Sequence, residues 1–173
     1  MSSTFERLDE ILGVSFGDIV PEFEGVLVDV HIRANITFGG KEGTRGGLLL
    51  HTGVVRGLVA GLPEVIEAMR KDGADHDLLP PAALPVPAWN AGPRWNPGRS
   101  GVHLCMGFGV RAIAPEHGAA VMVIQSGSPE GTPGMPDVAD YLMGWSVLLG
   151  FEEALPKVLR KLERVATPKW RRQ

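Results

Sequence analysis

Cysteine and long apolar runs are the two features that this chain most clearly lacks. Cys105 is the single cysteine among 173 residues, which excludes an intrachain disulfide and a multi-cysteine metal site and is typical of a reducing compartment. The apolar runs fall well short of the roughly 20 residues that a membrane helix needs, and no secretion signal begins the sequence. We therefore expect a soluble, cytoplasmic protein with no membrane association and no metal or other cofactor.

Neither sign of charge dominates. The chain has 17 Lys and Arg against 20 Asp and Glu, and a formal net charge of -3. Phosphate binding needs a basic surface, so nucleic acid is not expected as the main partner. Aromatic residues are few, at 6%, whereas 23 glycines and 14 prolines indicate many turns around an aliphatic core. The length predicts a single domain over residues 1–173, and no internal repeat is evident.

The clearest structural signal is the alternating segment Val26 to Phe38. Strand side chains point alternately to opposite faces, so the pattern predicts one long strand. Its apolar face holds Val26, Val28, Val30, Ile32, Ala34, Ile36 and Phe38. Val102 to Ala114 alternates similarly and Ala119 to Gln125 follows after a turn, which predicts an antiparallel hairpin. A short fourth strand is predicted within Val14 to Phe23.

Helical patterns fill much of the remaining chain. Thr4 to Leu12 carries apolar residues on one stripe, with Thr4 as the cap. Leu48 to Gly61 is predicted as a buried helix or as partly strand, and Pro63 would begin a short helix to Lys71. In the segment Leu48 to Gly61, glycine recurs every four residues. These glycines would line one helix stripe against a neighbouring backbone: Gly53, Gly57 and Gly61.

A long helical pattern also runs from Asp137 to Ala166, where Pro156 indicates a kink or two consecutive helices. Together the elements predict an α+β fold. It consists of an antiparallel sheet of about four strands with helices packed on one face, including the long C-terminal helix.

The polar face of the first long strand is the best candidate for catalysis. Asp29, His31 and Arg33 are spaced two residues apart and share this face. A carboxylate beside an imidazole can fix its tautomer for general-base work, and Arg33 could hold a substrate carboxylate or phosphate. A solvated sheet surface explains the same pattern.

His103 and Cys105 share a face of another strand. A thiol and an imidazole could form a nucleophile pair there, or the cysteine could be a small buried hydrophobe.

A proline-rich stretch supplies candidate partner-binding residues. Pro80 to Pro97 holds six of the 14 prolines and two tryptophans, Trp89 and Trp95. Proline fixes φ, so the stretch is predicted to be a stiff irregular loop. Tryptophan is enriched at interface hot spots, so the two rings could anchor a partner, or they could cover the domain's own core.

One segment resembles a known family. Phe38 to Pro63 leads through glycines into a helical pattern, and it is similar to the loop and central helix of hot-dog-fold thioesterases and hydratases. Gly46 and Gly47 match the glycine pair of that family, whereas Arg45 replaces its usual histidine and Val54 stands where its thioesterases often carry an acid. The resemblance implies the fold alone, because the catalytic residues do not carry over.

Two functions are therefore expected. The first is a non-enzymatic structural or assembly protein that works as a homo-oligomer, such as a ring or shell subunit, because no catalytic motif has the required spacing. The second is a small-molecule enzyme, such as a hot-dog-like acyl thioester hydrolase or hydratase, with Asp29, His31 and Arg33 lining its pocket.

Overall fold

A computed structural model describes residues 8–33, 42–76, 103–114, 118–127 and 137–166. Two β-β-β-α units follow one another in this part of the chain. The first unit consists of β1 Asp9–Val20, a short 3-10 helix Pro21–Phe23, β2 Gly25–Arg33, β3 Glu42–His51 and α1 Thr52–His76. The second consists of β4 His103–Ala114, β5 Ala119–Gly127, β6 Asp137–Gly144 and α2 Trp145–Ala166. Neither helix, as far as it is described, is long and apolar enough to cross a membrane.

The six strands form a closed barrel in sequence order. Neighbours within each unit are antiparallel, but the two junctions between the units are parallel. At the β3–β4 seam, residues 48–50 pair with 103–105, and at the β1–β6 seam, residues 9–11 pair with 141–143. Parallel neighbours need a crossover connection, and α1 lies within the chain segment that joins β3 to β4.

The predicted antiparallel sheet of about four strands with helices on one face is therefore wrong. The barrel has six strands and mixed pairing. Two strands were not among the four predicted: β6, which looked helical in sequence, and β3, part of which was predicted as a buried helix or as partly strand. The run Leu48, Leu49 and Leu50 is buried on both faces of β3, so it lacks the alternation that marks a half-exposed strand. In β6 the apolar residues happen to continue the spacing of the amphipathic helix that follows.

The predicted N-terminal helix is also wrong where it can be checked. Residues 9–12 belong to β1, and residues 4–7 lie outside the described part. Pairing with β2 on one side and β6 on the other outweighs the helical spacing of a few apolar residues. Pro63 and Pro156 do not begin or separate helices, because α1 and α2 each continue through their proline.

Other predictions are confirmed. β4 and β5 form the antiparallel hairpin, and β2 is a strand with Val26, Val28 and Val30 fully buried. The predicted strand positions 34–38 lie outside the described residues. The buried face of β2 belongs to one hydrophobic cluster that joins all six strands to both helices. Leu27, on the opposite face, packs in a small second cluster with Val20 and Leu49.

The two units share an internal repeat that inspection of the sequence did not reveal. At the start of α1, the Thr52 N–H donates to the Glu24 carbonyl at 2.8 Å, and at the start of α2 the Trp145 N–H donates to the Gly118 carbonyl at 2.8 Å. Glu24 and Gly118 both have left-handed backbone, with φ of 50° and 61°. The helices also align by identity: Val54, Gly57, Leu62, Pro63 and Val65 of α1 match Val147, Gly150, Leu155, Pro156 and Val158 of α2.

Gly25 occupies a tight position in the barrel. A Cβ atom there would lie 2.8 Å from the Leu50 carbonyl oxygen and 3.0 Å from Leu49 Cγ, whereas at Gly109 it would meet no described atom within 4 Å. We expect Gly25→Ala to destabilise the fold by about 1–3 kcal/mol, because backbone must shift to relieve the overlap. Gly109→Ala should change stability by less than about 0.5 kcal/mol. Urea unfolding of both variants tests this, and equal effects would contradict it.

Candidate functional site

A cleft of about 510 Å³ lies at the β3–β4 seam, between the first turns of α1 and the start of β4. The helix supplies Gly53, Val54 and Gly57 on one wall, and the strand supplies residues 104–108 on the other. His51, the last residue of β3, completes the lining. Ligand sites are typically clefts of roughly 300–1,000 Å³ with mostly apolar walls, and this cleft has both properties.

The shape of the β4 wall results from a β-bulge. Cys105 pairs with Ser126 and Gly107 pairs with Gln125, so Met106 is the extra residue between them. The bulge reverses the predicted alternation, because Cys105 is fully buried in the core whereas Met106 is 55% exposed. The Cys105 thiol donates to the Gly107 carbonyl at 3.3 Å. His103 makes no hydrogen bond or ion pair with any described residue, so the predicted cysteine–histidine nucleophile pair is not formed.

The His51 ring is held between the start of α1 and Glu24. Its Nδ1 accepts a hydrogen bond from the Gly53 N–H at 3.0 Å, which satisfies one of the unpaired donors of the first helical turn. Its Nε2 lies 3.5 Å from a Glu24 carboxylate oxygen. In the neutral ring the proton is therefore on Nε2 and faces Glu24, which leaves neither nitrogen free to act as a base.

Thr52 joins the start of α1 to the β1–β2 connection. Its buried hydroxyl donates to the Glu24 carbonyl at 2.7 Å, alongside its own backbone N–H. We expect Thr52→Val to lower stability by about 0.5–1.5 kcal/mol through loss of this hydrogen bond. Thr→Val keeps the shape of the side chain, so the change reports on the bond rather than on a cavity. Thermal unfolding that is identical to the wild type would contradict the expectation.

Two of the predicted catalytic residues, Asp29 and His31, lie elsewhere, on the face of β2 opposite the main core. His31 Nε2 and Ser15 Oγ of β1 are 2.8 Å apart, a pairing that the sequence did not indicate because it depends on strand register. Asp29 faces Ser15 in that register but makes no hydrogen bond or ion pair with another described residue. The Arg33 side chain lies outside the described set. One hydrogen bond of His31 thus joins it to Ser15, and the catalytic role of Asp29, His31 and Arg33 stays a prediction.

The side chains of Ser15, Asp29 and His31 do not line the cleft. The proposed partner anchors Trp89 and Trp95 lie outside the described residues. Within the described ranges, no group of three or more His, Cys, Asp or Glu side chains could hold a metal ion.

The N-terminal half of α1 presents an open surface beside the cleft. Gly53, Gly57 and Gly61 are exposed, and a Cβ atom at Gly57 or Gly61 would meet no described atom within 4 Å. The predicted close packing of this stripe against a neighbouring backbone is therefore not made within the described part of the chain. On α2, Gly150 and Ala154, the equivalents of Gly57 and Gly61, are buried, whereas Ser146, the equivalent of Gly53, is exposed.

An exposed apolar side chain adjoins the same half-helix. Met106 is 55% exposed and lines the cleft together with Gly53 and Gly57. We call this surface the α1 face; it comprises Gly53, Gly57, Gly61 and Met106.

Comparison with known proteins finds no matching family model, no matching curated protein and no matching solved structure.

Proposed function

We propose that this protein is a non-enzymatic assembly subunit that works as a homo-oligomer, with the α1 face as a contact between copies. The observation that carries the proposal is the exposed glycine stripe. Each helical glycine costs about 1 kcal/mol relative to alanine. Three of them on an open helix face are costly unless another backbone approaches closely.

The internal repeat supports the same conclusion. On α2 the equivalents of Gly57 and Gly61, which are Gly150 and Ala154, are buried, so a helix of this unit can have a packing partner at these positions. On α1, Gly57 and Gly61 are exposed. Met106 adds apolar area beside the stripe, as the central part of an interface requires.

A second copy of the chain is the occupant that this surface fits. Its rim carries both signs of charge, in the pairs Glu24–His51 and Arg56–Glu163. A two-fold contact brings the same patch of two copies together, and a rim of mixed sign can then pair with itself. The small residues of the stripe allow two α1 helices to approach closely.

Light scattering coupled to size exclusion tests the proposal. We expect the mass of the full chain to exceed that of one 18.5 kDa subunit and to fall on dilution. A monomeric mass at all concentrations up to about 100 μM would overturn the proposal, since a specific homo-oligomer of useful affinity would be populated there.

The serine–imidazole pair favours a second candidate, a small-molecule hydrolase. Ser15 Oγ lies at hydrogen-bond distance from His31 Nε2, which is the contact that a base needs to activate a serine nucleophile. Incubation with a fluorophosphonate probe, followed by peptide mass analysis, tests the candidate. Labelling of Ser15 that His31→Ala abolishes supports it, and an unlabelled Ser15 removes it.

A further inference from the structure

The cleft at the β3–β4 seam is open on a single chain. Three of its lining residues, His51, Gly53 and Gly57, are exposed, and the Met106 side chain at its rim is 55% exposed. Binding sites bury roughly 70–90% of a small ligand, which an open cleft does not achieve. However, Gly53, Gly57 and Met106 belong to the α1 face as well, so a second copy bound there would close the cleft.

We infer that the cleft, once closed by a second copy, is a binding site for a neutral apolar organic molecule such as an aromatic ring or an acyl chain. This inference rests on the proposed homo-oligomer, because the site is incomplete without the partner chain.

The lining determines the class of ligand. Val54, Leu104 and Phe108 provide apolar walls, and the glycines allow a flat group to approach the backbone. The polar groups of the cleft are already engaged. The Cys105 thiol donates to Gly107, and His51 lies between Gly53 and Glu24. No charged side chain lines the cleft without a partner among the described residues, so a neutral ligand fits better than an ion.

The internal repeat allows a comparison with the other seam. The equivalent of Gly57 there is Gly150, which is buried. The equivalent of the bulged Met106 is Leu12, which lies at the matching bulge of β1 and is half-buried rather than exposed. Two open positions of the cleft are thus more covered at the β1–β6 seam, so we expect one binding site of this kind in each chain.

N-phenyl-1-naphthylamine, a neutral fluorophore that brightens in apolar sites, is the probe for the test. Its titration into the full chain should saturate near one molecule per chain, with mass measured on the same samples. Gly61→Glu places a charge on the exposed stripe of the α1 face without touching the cleft lining, so we expect a monomer that binds the probe at least roughly tenfold more weakly. Equal binding by that monomer, or no binding by an oligomeric wild type, overturns the inference and leaves the proposed function standing. A monomeric wild type overturns both.

A matched pair of variants locates the probe. Val54 and Val59 are both half-buried on α1 and pack against the same core, but only Val54 lines the cleft. Val54→Phe should weaken probe binding at least roughly tenfold, and Val59→Phe should leave it unchanged. If either phenylalanine variant does not fold, Val54→Ala and Val59→Ala are used instead. We then expect probe binding to weaken several-fold in Val54→Ala and to stay unchanged in Val59→Ala. Equal binding by the two members of a pair overturns the location.

Discussion

Replacing Met106 by glutamate is expected to convert the proposed homo-oligomer to a monomer. Met106 stands on a β-bulge within the proposed contact, where 55% of its surface is exposed on a single chain. In the oligomer the new carboxylate would be buried without a partner, at a cost of roughly 3–5 kcal/mol. That cost raises the dissociation constant by about a hundredfold or more. Light scattering across a concentration series measures the shift.

Val138→Glu is the matched control for this variant. Val138 is 51% exposed on β6, so the same change from a large apolar side chain to a carboxylate occurs at a similar exposure. It lies outside the α1 face, so the mass should stay that of the wild type. If both variants dissociate equally, the dissociation results from added charge rather than from the loss of a specific contact. If neither dissociates, the contact lies elsewhere on the protein.

Replacing Phe151 by alanine is expected to cause a large loss of stability, about 3–5 kcal/mol. Phe151 of α2 is 1% exposed and lies between two other rings. It stacks on Phe16 of the first unit, with ring centroids 6.0 Å apart, and meets Phe108 of the second unit at 5.3 Å. Its removal would leave a cavity where the two units pack together.

Urea unfolding at fixed protein concentration measures this effect. Val138→Ala, which removes an exposed side chain, should change the free energy of unfolding by less than about 0.5 kcal/mol. Because Phe151 contacts both units, we expect a single cooperative transition that moves to lower urea. A loss below about 1 kcal/mol, or a transition that splits into two, would show that the ring does not join the units.

The sequence by itself determined those strands and helices whose periodic pattern of apolar and polar residues is visible within the segment itself. The alternation of Val26, Val28 and Val30 predicted a strand and its buried face, and the β4–β5 hairpin was predicted in the same way. The four-residue spacing of Gly53, Gly57 and Gly61 predicted that they share one helix stripe, although the close packing expected of that stripe is not made within the described residues. In each case the pattern follows from the geometry of a single strand or helix, so it can be read locally.

Only the tertiary structure decided the remaining features, because each depends on a partner that is distant in sequence. β3 is a strand because β2 and β4 flank it, although its leucine run suits a helix equally well. The bulge that turns Met106 outward and Cys105 inward exists only in register with β5. The contact between Ser15 and His31 likewise follows from the pairing of β1 with β2. Hydrogen bonds between strands fix these features, and no local pattern encodes them.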